Sequence, residues 1–211
     1  PNLRSTWEED LGQLTDEDWA EARGSPKSVA IAARLKLIQF KYLHRTYLTR
    51  DRLWRRGMIG SPACLRYQGQ RGDLVHTVWS CPTLHTYWIK VIACLRRVLG
   101  LEGPVDTKLV RLHITETSDY DRYKKALLHL GLVGAKRDIA LHWKDVNPPS
   151  LIEWKRGLDD CMSREMSVFL ARGCPHKHTK IWQRWAEFRG ITIELHEPPL
   201  GHKNKARCNG L

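Results

Sequence analysis

The sequence has 211 residues, 42% of them hydrophobic, which is enough for one sizeable core or two small ones and too many for a chain disordered throughout. Thirty-five Lys and Arg against 23 Asp and Glu leave a net charge of +12, which favours a polyanionic partner, RNA or DNA. No apolar run is long enough to span a bilayer and no signal-peptide pattern is present, so the expectation is an intracellular protein, nuclear or cytoplasmic, with no membrane partner. Six cysteines at irregular spacings do not form a secreted disulfide framework, and reduced thiols are expected. The chain starts at Pro1 rather than Met and is expected to be cut from something longer.

Acidic residues gather early, in Glu8, Glu9, Asp10, Asp16, Glu17 and Asp18. A first helix or helix pair is predicted over 5–23, with Thr15 as N-cap, Asp18 in capping-box position, Trp19 as an anchor and Gly24 as its end. Ser25 and Pro26 then read as N-cap and first-turn proline of a long central helix reaching Tyr47 or Leu48. On it Ile31, Leu35, Ile38 and Tyr42 form one apolar stripe, and Leu37, Phe40, Leu43 and Tyr47 a second on nearly the opposite side, so packing on both sides is expected. Arg34, Lys41 and Arg45 run along one edge, continued by Arg50, Arg52, Arg55 and Arg56; with Arg71 they are the candidate phosphate contacts. A short helical segment over 49–56 is broken by Gly57, Gly60 and Pro62.

Pro82 opens a helix through Leu99 with Trp88, Val91, Ile92 and Leu95 as its apolar face. Residues 104–120 are the least readable, with an extended piece expected over 109–114. Helices follow over 123–143 and, capped by Ser150, over 151–171; a last one carries Ile181, Trp182, Trp185 and Phe188 before a basic tail. The fold class is all-α: a multi-helix domain around a central basic-edged helix, with a knuckle-like loop between helices. The segments are 1–24, acidic and helical; 25–103, the central helix, loop and following helix; 104–190, the C-terminal helical region; and 191–211, the tail.

That loop carries metal-ligand chemistry. Cys64, Tyr67, His76 and Cys81 have the spacing of a four-ligand zinc knuckle, with Tyr where a second Cys would complete the set. A phenol is a harder and poorer zinc ligand than a thiolate, so weak binding, or none, is expected. His85, four residues after Cys81 on the following helix, is an alternative fourth ligand to Tyr67. A metal-free reading, with both cysteines buried and His76 hydrogen-bonded, stays open.

Cys94, Cys161, Cys174 and Cys208 read as core or tail cysteines, and His176 and His178 as a solvated loop. Of the nine tryptophans, Trp88, Trp143, Trp154 and Trp182 occupy apolar helical positions and are expected in the core; Trp54, within RLWRR, is the candidate for base stacking. No phosphate-binding loop, HExxH or nucleophile elbow is present, and no small-molecule substrate or catalysis by this chain alone is expected.

The segments LTDEDW, ARLKLIQFKYLHRTYLTRDRLWRRG, HTVWSCP within the interrupted knuckle, AKRDIALHWKDVNPPSLIEW and RGCPHKHTKIWQRW, in this order, resemble the region downstream of the reverse transcriptase in vertebrate LINE-type (non-LTR) retrotransposon polyproteins. The likeness runs from about Leu14 to Trp185, and in that family the position of Tyr67 is normally Cys. It implies a non-catalytic nucleic-acid-binding module that engages template RNA or target DNA in target-primed reverse transcription, attached to the rest of the retrotransposon polyprotein. The alternatives are a helical protein-interaction scaffold and an inactive remnant of a retroelement.

Overall fold

In the computed structural model, residues 2–102, 106–115 and 121–193 are described. The expected tail lies outside them from residue 194 on. Among the described residues the helices are α1 (Leu3–Leu11), α2 (Asp16–Ser28), α3 (Ala33–Leu43), α4 (Arg50–Arg55), α5 (Pro82–Leu99), α6 (Thr107–Leu112), α7 (Arg122–Leu141), α8 (Leu151–Ala171) and α9 (Pro175–Arg189). A π-helical turn spans His76–Ser80, and the β pairing is limited to one antiparallel bridge, Ala63 to Arg71. The all-α fold is as expected.

Local chemistry explains most starts and stops. Thr15 Oγ1 accepts from Asp18 N at 3.1 Å while Asp18 Oδ2 accepts from Thr15 N at 3.2 Å, and Ser150 and Glu153 repeat the pattern at α8. Pro82 and Pro175 occupy first-turn positions, and Gly100 and Gly190 end α5 and α9 in the left-handed region. Asp106 caps α6 through Lys108 N at 2.9 Å, and this cap makes a helix of the stretch expected to be extended. His178 is likewise no loop residue: it is buried in α9, its Nε2 2.8 Å from the Met162 carbonyl.

The long helix expected from Ser25 to Tyr47 is two helices. Gly24 does not end α2, which runs through Pro26 to Ser28 before the chain turns at 29–32. Proline cannot donate to the carbonyl four residues back, here that of Ala22, but Ser25 Oγ donates to it at 2.8 Å and replaces the missing bond. The second stripe also departs from expectation. Leu43 is buried, but Leu37 and Phe40 remain exposed, so α3 packs on one side there.

The most enclosed helix is α7, buried without interruption from Leu127 to Lys136 and packed against α3, α5, α8, α9 and the π-turn. Close approach to α5 requires Gly131, where an added Cβ would lie 2.4 Å from Leu95 Cδ2; at Gly134 the nearest atom is an ordinary 3.4 Å away. One hydrophobic core takes in Trp7 of α1, Leu35 of α3, Leu84 of α5 and Trp182 of α9.

Polar groups enter this core. Lys136 Nζ donates to Gln39 Oε1 at 2.9 Å and to the Arg111 carbonyl at 2.8 Å, and lies over the Tyr42 ring. Gln39 in turn donates to Ser25 Oγ at 3.0 Å. His113 and His129 are buried side by side, ring centroids 4.7 Å apart. Burial, with the nearby Lys136, pushes His113 well below its ordinary value; burial, then Lys125 and Lys136, pushes His129 down to about 3.

Two predictions concern stability. Gly131→Ala should destabilise by about 1–2 kcal/mol through overpacking against Leu95, whereas Gly134→Ala should be neutral or stabilise by up to about 1 kcal/mol; urea denaturation of both variants distinguishes them. Because His129 stays neutral in the fold but protonates near 6.5 when unfolded, its contribution is complete above that pH and falls as pH drops toward about 3. About 2 kcal/mol should be lost between pH 7 and pH 5 on its account, and His129→Phe should flatten the measured pH dependence of unfolding accordingly.

Candidate metal centre and basic cleft

Residues 61–72 form a narrow turn stitched by Cys64 N to the Gln70 carbonyl at 2.9 Å and Gly72 N to the Pro62 carbonyl at 2.8 Å. It places Cys64 against the π-turn. Asp73 Oδ1 accepts from His76 N at 2.8 Å, and Cys81 N donates to the His76 carbonyl at 3.0 Å, a bond five residues long. Residues five apart on an α-helix would face about 140° apart. The wider π-turn brings the later residue back over the earlier one, so His76 and Cys81 share a side.

The result is a buried trio. One ligand atom from each of Cys64, His76 and Cys81 lies within 4.8 Å of the others, a group that could hold a metal ion. Neither ring nitrogen of His76 has a hydrogen-bond partner in the protein, which fits a ligand better than a hydrogen-bonded loop histidine. Burial first, and then the Arg66 charge, lowers the His76 pKa, which keeps a lone pair available for a metal. Burial pushes the Cys81 thiol up, while hydrogen bonding from the Thr83 backbone opposes it.

Arg66 is the supporting residue that spacing did not reveal. Its Nη1 donates to the Thr77 carbonyl at 3.3 Å and its Nη2 to that of His142, and its charge lies near both thiols. Thr83 Oγ1 donates to the Arg66 carbonyl at 3.1 Å, closing the frame onto α5. Of the two proposed fourth ligands, His85 is exposed and lies outside the trio. Tyr67 is closer, its ring 6.5 Å from that of His76, but the residue is 43% exposed. Three protein ligands with a fourth position open to a phenol or water match the donor set, and the site fits a borderline cation.

The basic residues divide into two groups. Arg45, half-buried and at φ 54°, bonds Asp10 Oδ2 at 2.6 Å and the Thr6 carbonyl at 3.1 Å and lies over Trp7, so it fastens α1. Arg50 Nη2 donates to the Ser61 carbonyl at 3.0 Å and braces the knuckle. Arg52, Arg55 and Arg56 are exposed and, with Arg45, Asp51 and Asp73, line a shallow cleft of about 570 Å³. Arg34 and Lys41 are exposed on α3 but do not line the cleft.

Asp51 joins the cleft to the knuckle. This nearly buried carboxylate accepts from Arg55 Nε at 2.9 Å and from Arg71 Nε at 2.8 Å, and its backbone N donates to the Gly72 carbonyl at 3.2 Å. Arg71 also lies over the Trp54 ring, 5.1 Å from its centroid, and Trp54 is 40% exposed. Trp88, Trp154 and Trp182 are buried as expected; Trp143 is half-buried, stacked on Tyr47.

No protein-family model matches the chain. No helix among the described residues is long and apolar enough to cross a membrane.

Cobalt(II) is a direct probe of the trio. Titration of the reduced protein should produce a thiolate-to-cobalt absorption band that Cys81→Ser removes and His85→Ala leaves unchanged; loss of the band in His85→Ala would contradict the geometry.

Proposed function

We propose that this chain is a non-catalytic nucleic-acid-binding module, the C-terminal region of a LINE-type reverse transcriptase polyprotein, that engages template RNA or target DNA during target-primed reverse transcription. The supporting observation is the Asp51 clamp. It holds Arg55 and Arg71 on one carboxylate, beside exposed Arg52 and Arg56 and the partly exposed Trp54 ring, on a scaffold shared with the knuckle. Guanidinium groups at fixed spacing contact successive phosphates, and a neighbouring indole accepts a base on its face. Zinc is the ion assigned to Cys64, His76 and Cys81, since two thiols and an imidazole suit it, with water or Tyr67 completing four-coordination. Its role is structural: it fixes the turn that carries Arg71.

Two exposed apolar residues on α3, Leu37 and Phe40, favour a second reading as a docking scaffold for the rest of the polyprotein. Salt dependence separates the two. Binding to single-stranded RNA and duplex DNA should weaken steeply with salt, and the triple variant Arg52→Ala, Arg55→Ala, Arg56→Ala should reduce the slope of log affinity against log salt by roughly 2–3 on duplex DNA. An unchanged slope would assign the arginines to solubility and leave the scaffold.

A further inference from the structure

The two thiols of the trio have a chemistry that needs no metal. Cys64 stands in the narrow turn over 61–72, and Cys81 is the single residue between the π-turn and α5. Although they come from separate segments, their sulfurs lie within 4.8 Å of each other. A disulfide joins sulfurs about 2.0 Å apart, so a short approach separates this pair from a bond. The main chain holds the two partners in place, with Cys64 N bonded to the Gln70 carbonyl at 2.9 Å and Cys81 N to the His76 carbonyl at 3.0 Å. Neither residue belongs to an α-helix, so the approach disturbs no helical hydrogen bond of its own.

The surroundings select the reagent. Cys64 is 3% exposed and Cys81 1%, which shuts out bulky thiol reagents. Cys64 nevertheless lines a recess of about 10 Å³ together with Arg50, Arg66, Gly72 and Thr77. That space holds one molecule about the size of water, and among oxidants a peroxide comes nearest to that size. Arg66 places its charge near both sulfurs, an electropositive setting of the kind in which cysteines react.

We propose that Cys64 and Cys81 form a redox site: in the metal-free protein a peroxide oxidises the pair to a disulfide, which ties the turn to the start of α5 in place of a metal. The step balances. The Cys64 sulfur bonds one peroxide oxygen, the O–O bond breaks, and the other oxygen leaves as water with the thiol proton. The Cys81 sulfur then attacks the Cys64 sulfenic acid, forming S–S and breaking S–O, and the hydroxyl leaves as water with the second thiol proton. Two thiols and one hydrogen peroxide thus give a disulfide and two waters. The bridge consumes both sulfur donors, so oxidation and metal binding exclude each other. This inference rests on the trio alone, and the bridge forms whether or not the arginines of the cleft contact nucleic acid.

The test treats the reduced, metal-free 211-residue chain with hydrogen peroxide, blocks the remaining thiols by alkylation and maps the peptides by mass spectrometry. At least about half of the chains should carry a Cys64–Cys81 cross-link, lighter by two hydrogen atoms, that dithiothreitol reverses. Oxidation should abolish the cobalt(II) band and reduction should restore it, while protein loaded with cobalt beforehand should bridge at least about tenfold more slowly. The bridged metal-free chain should melt at least about 3 °C above the reduced one. Guanidinium chloride should replace the single cross-link by mixed pairings. Cys64→Ser and Cys81→Ser should each prevent the bridge, and where a variant fails to fold the peptide map of the parent decides. Sulfinic or sulfonic acid at Cys64 without a cross-link would overturn the proposal. So would pairing with Cys94, Cys161, Cys174 or Cys208 in the folded chain, equal rates with and without cobalt, or a bridged chain that melts no higher than the reduced one.

Discussion

A lysine enclosed in the middle of α7 must be satisfied without water, and the way it is satisfied organises the N-terminal half of the molecule. Lys136 draws the Gln39 side chain of α3 and the Arg111 carbonyl of α6 onto itself, and Gln39 reaches Ser25, which replaces the hydrogen bond that Pro26 cannot make. Four helices thus meet through one chain of hydrogen bonds. Burial pushes the lysine pKa well below its ordinary value, because the interior disfavours the charged ammonium. Breaking one link leaves the next group buried without a partner, which is why such networks act as units.

The uneven distribution of charge has a structural explanation. Acidic residues of the first two helices are engaged by cations from elsewhere: Asp10 by Arg45, Asp18 by Lys108 at 3.4 Å, Glu21 by Lys125. Pairing near the surface contributes little stability per pair, but it fixes where α1 and α2 lie. Little acid is then left to neutralise α4. Asp51 and Asp73 remain in the cleft, and Asp51, as one carboxylate shared between Arg55 and Arg71, orders those side chains without cancelling both charges.

The sequence was most legible where local chemistry decides. The capping box at Thr15, the proline start at Pro82 and the Ser150 cap all lie within one turn of the residues that reveal them. Gly24 and Pro26 misled because their usual meaning as breakers was overridden by a side-chain hydrogen bond and by packing, neither visible as a pattern. The pair of arginines at 45 and 50 looked equivalent to those at 52, 55 and 56. Contacts with Thr6, Asp10 and Ser61 tie down the first two, while Arg52 reaches the Tyr47 carbonyl and stays exposed. The trio of Cys64, His76 and Cys81 was legible from spacing, but its two supports were not: the π-turn is set by hydrogen bonding over five residues, and Arg66 reaches the His142 carbonyl at the C-terminal end of α7. The His113–His129 pair comes from α6 and α7, and its own stretch of sequence was read as extended, so no local signal pointed to it.

The knuckle and the cleft are better understood as one device than as two. Cys64 and Arg71 sit on opposite arms of the same turn, whose far arm reaches Asp51 through both the Arg71 side chain and the Gly72 carbonyl. Gly72 fits there because an added Cβ would press on Arg50 Cβ and Cys64 Cα at 3.3 Å, so the arms lie close against each other and against α4. A metal bound by Cys64, His76 and Cys81 would tie the near arm to the π-turn, and the rigidity would pass along the turn to the guanidinium of Arg71 and the face of Trp54. Arg66 beside the thiols and Asp51 beneath the arginines hold this geometry by hydrogen bonds as well. The clamp at Asp51 is therefore assembled by contacts that do not pass through the trio.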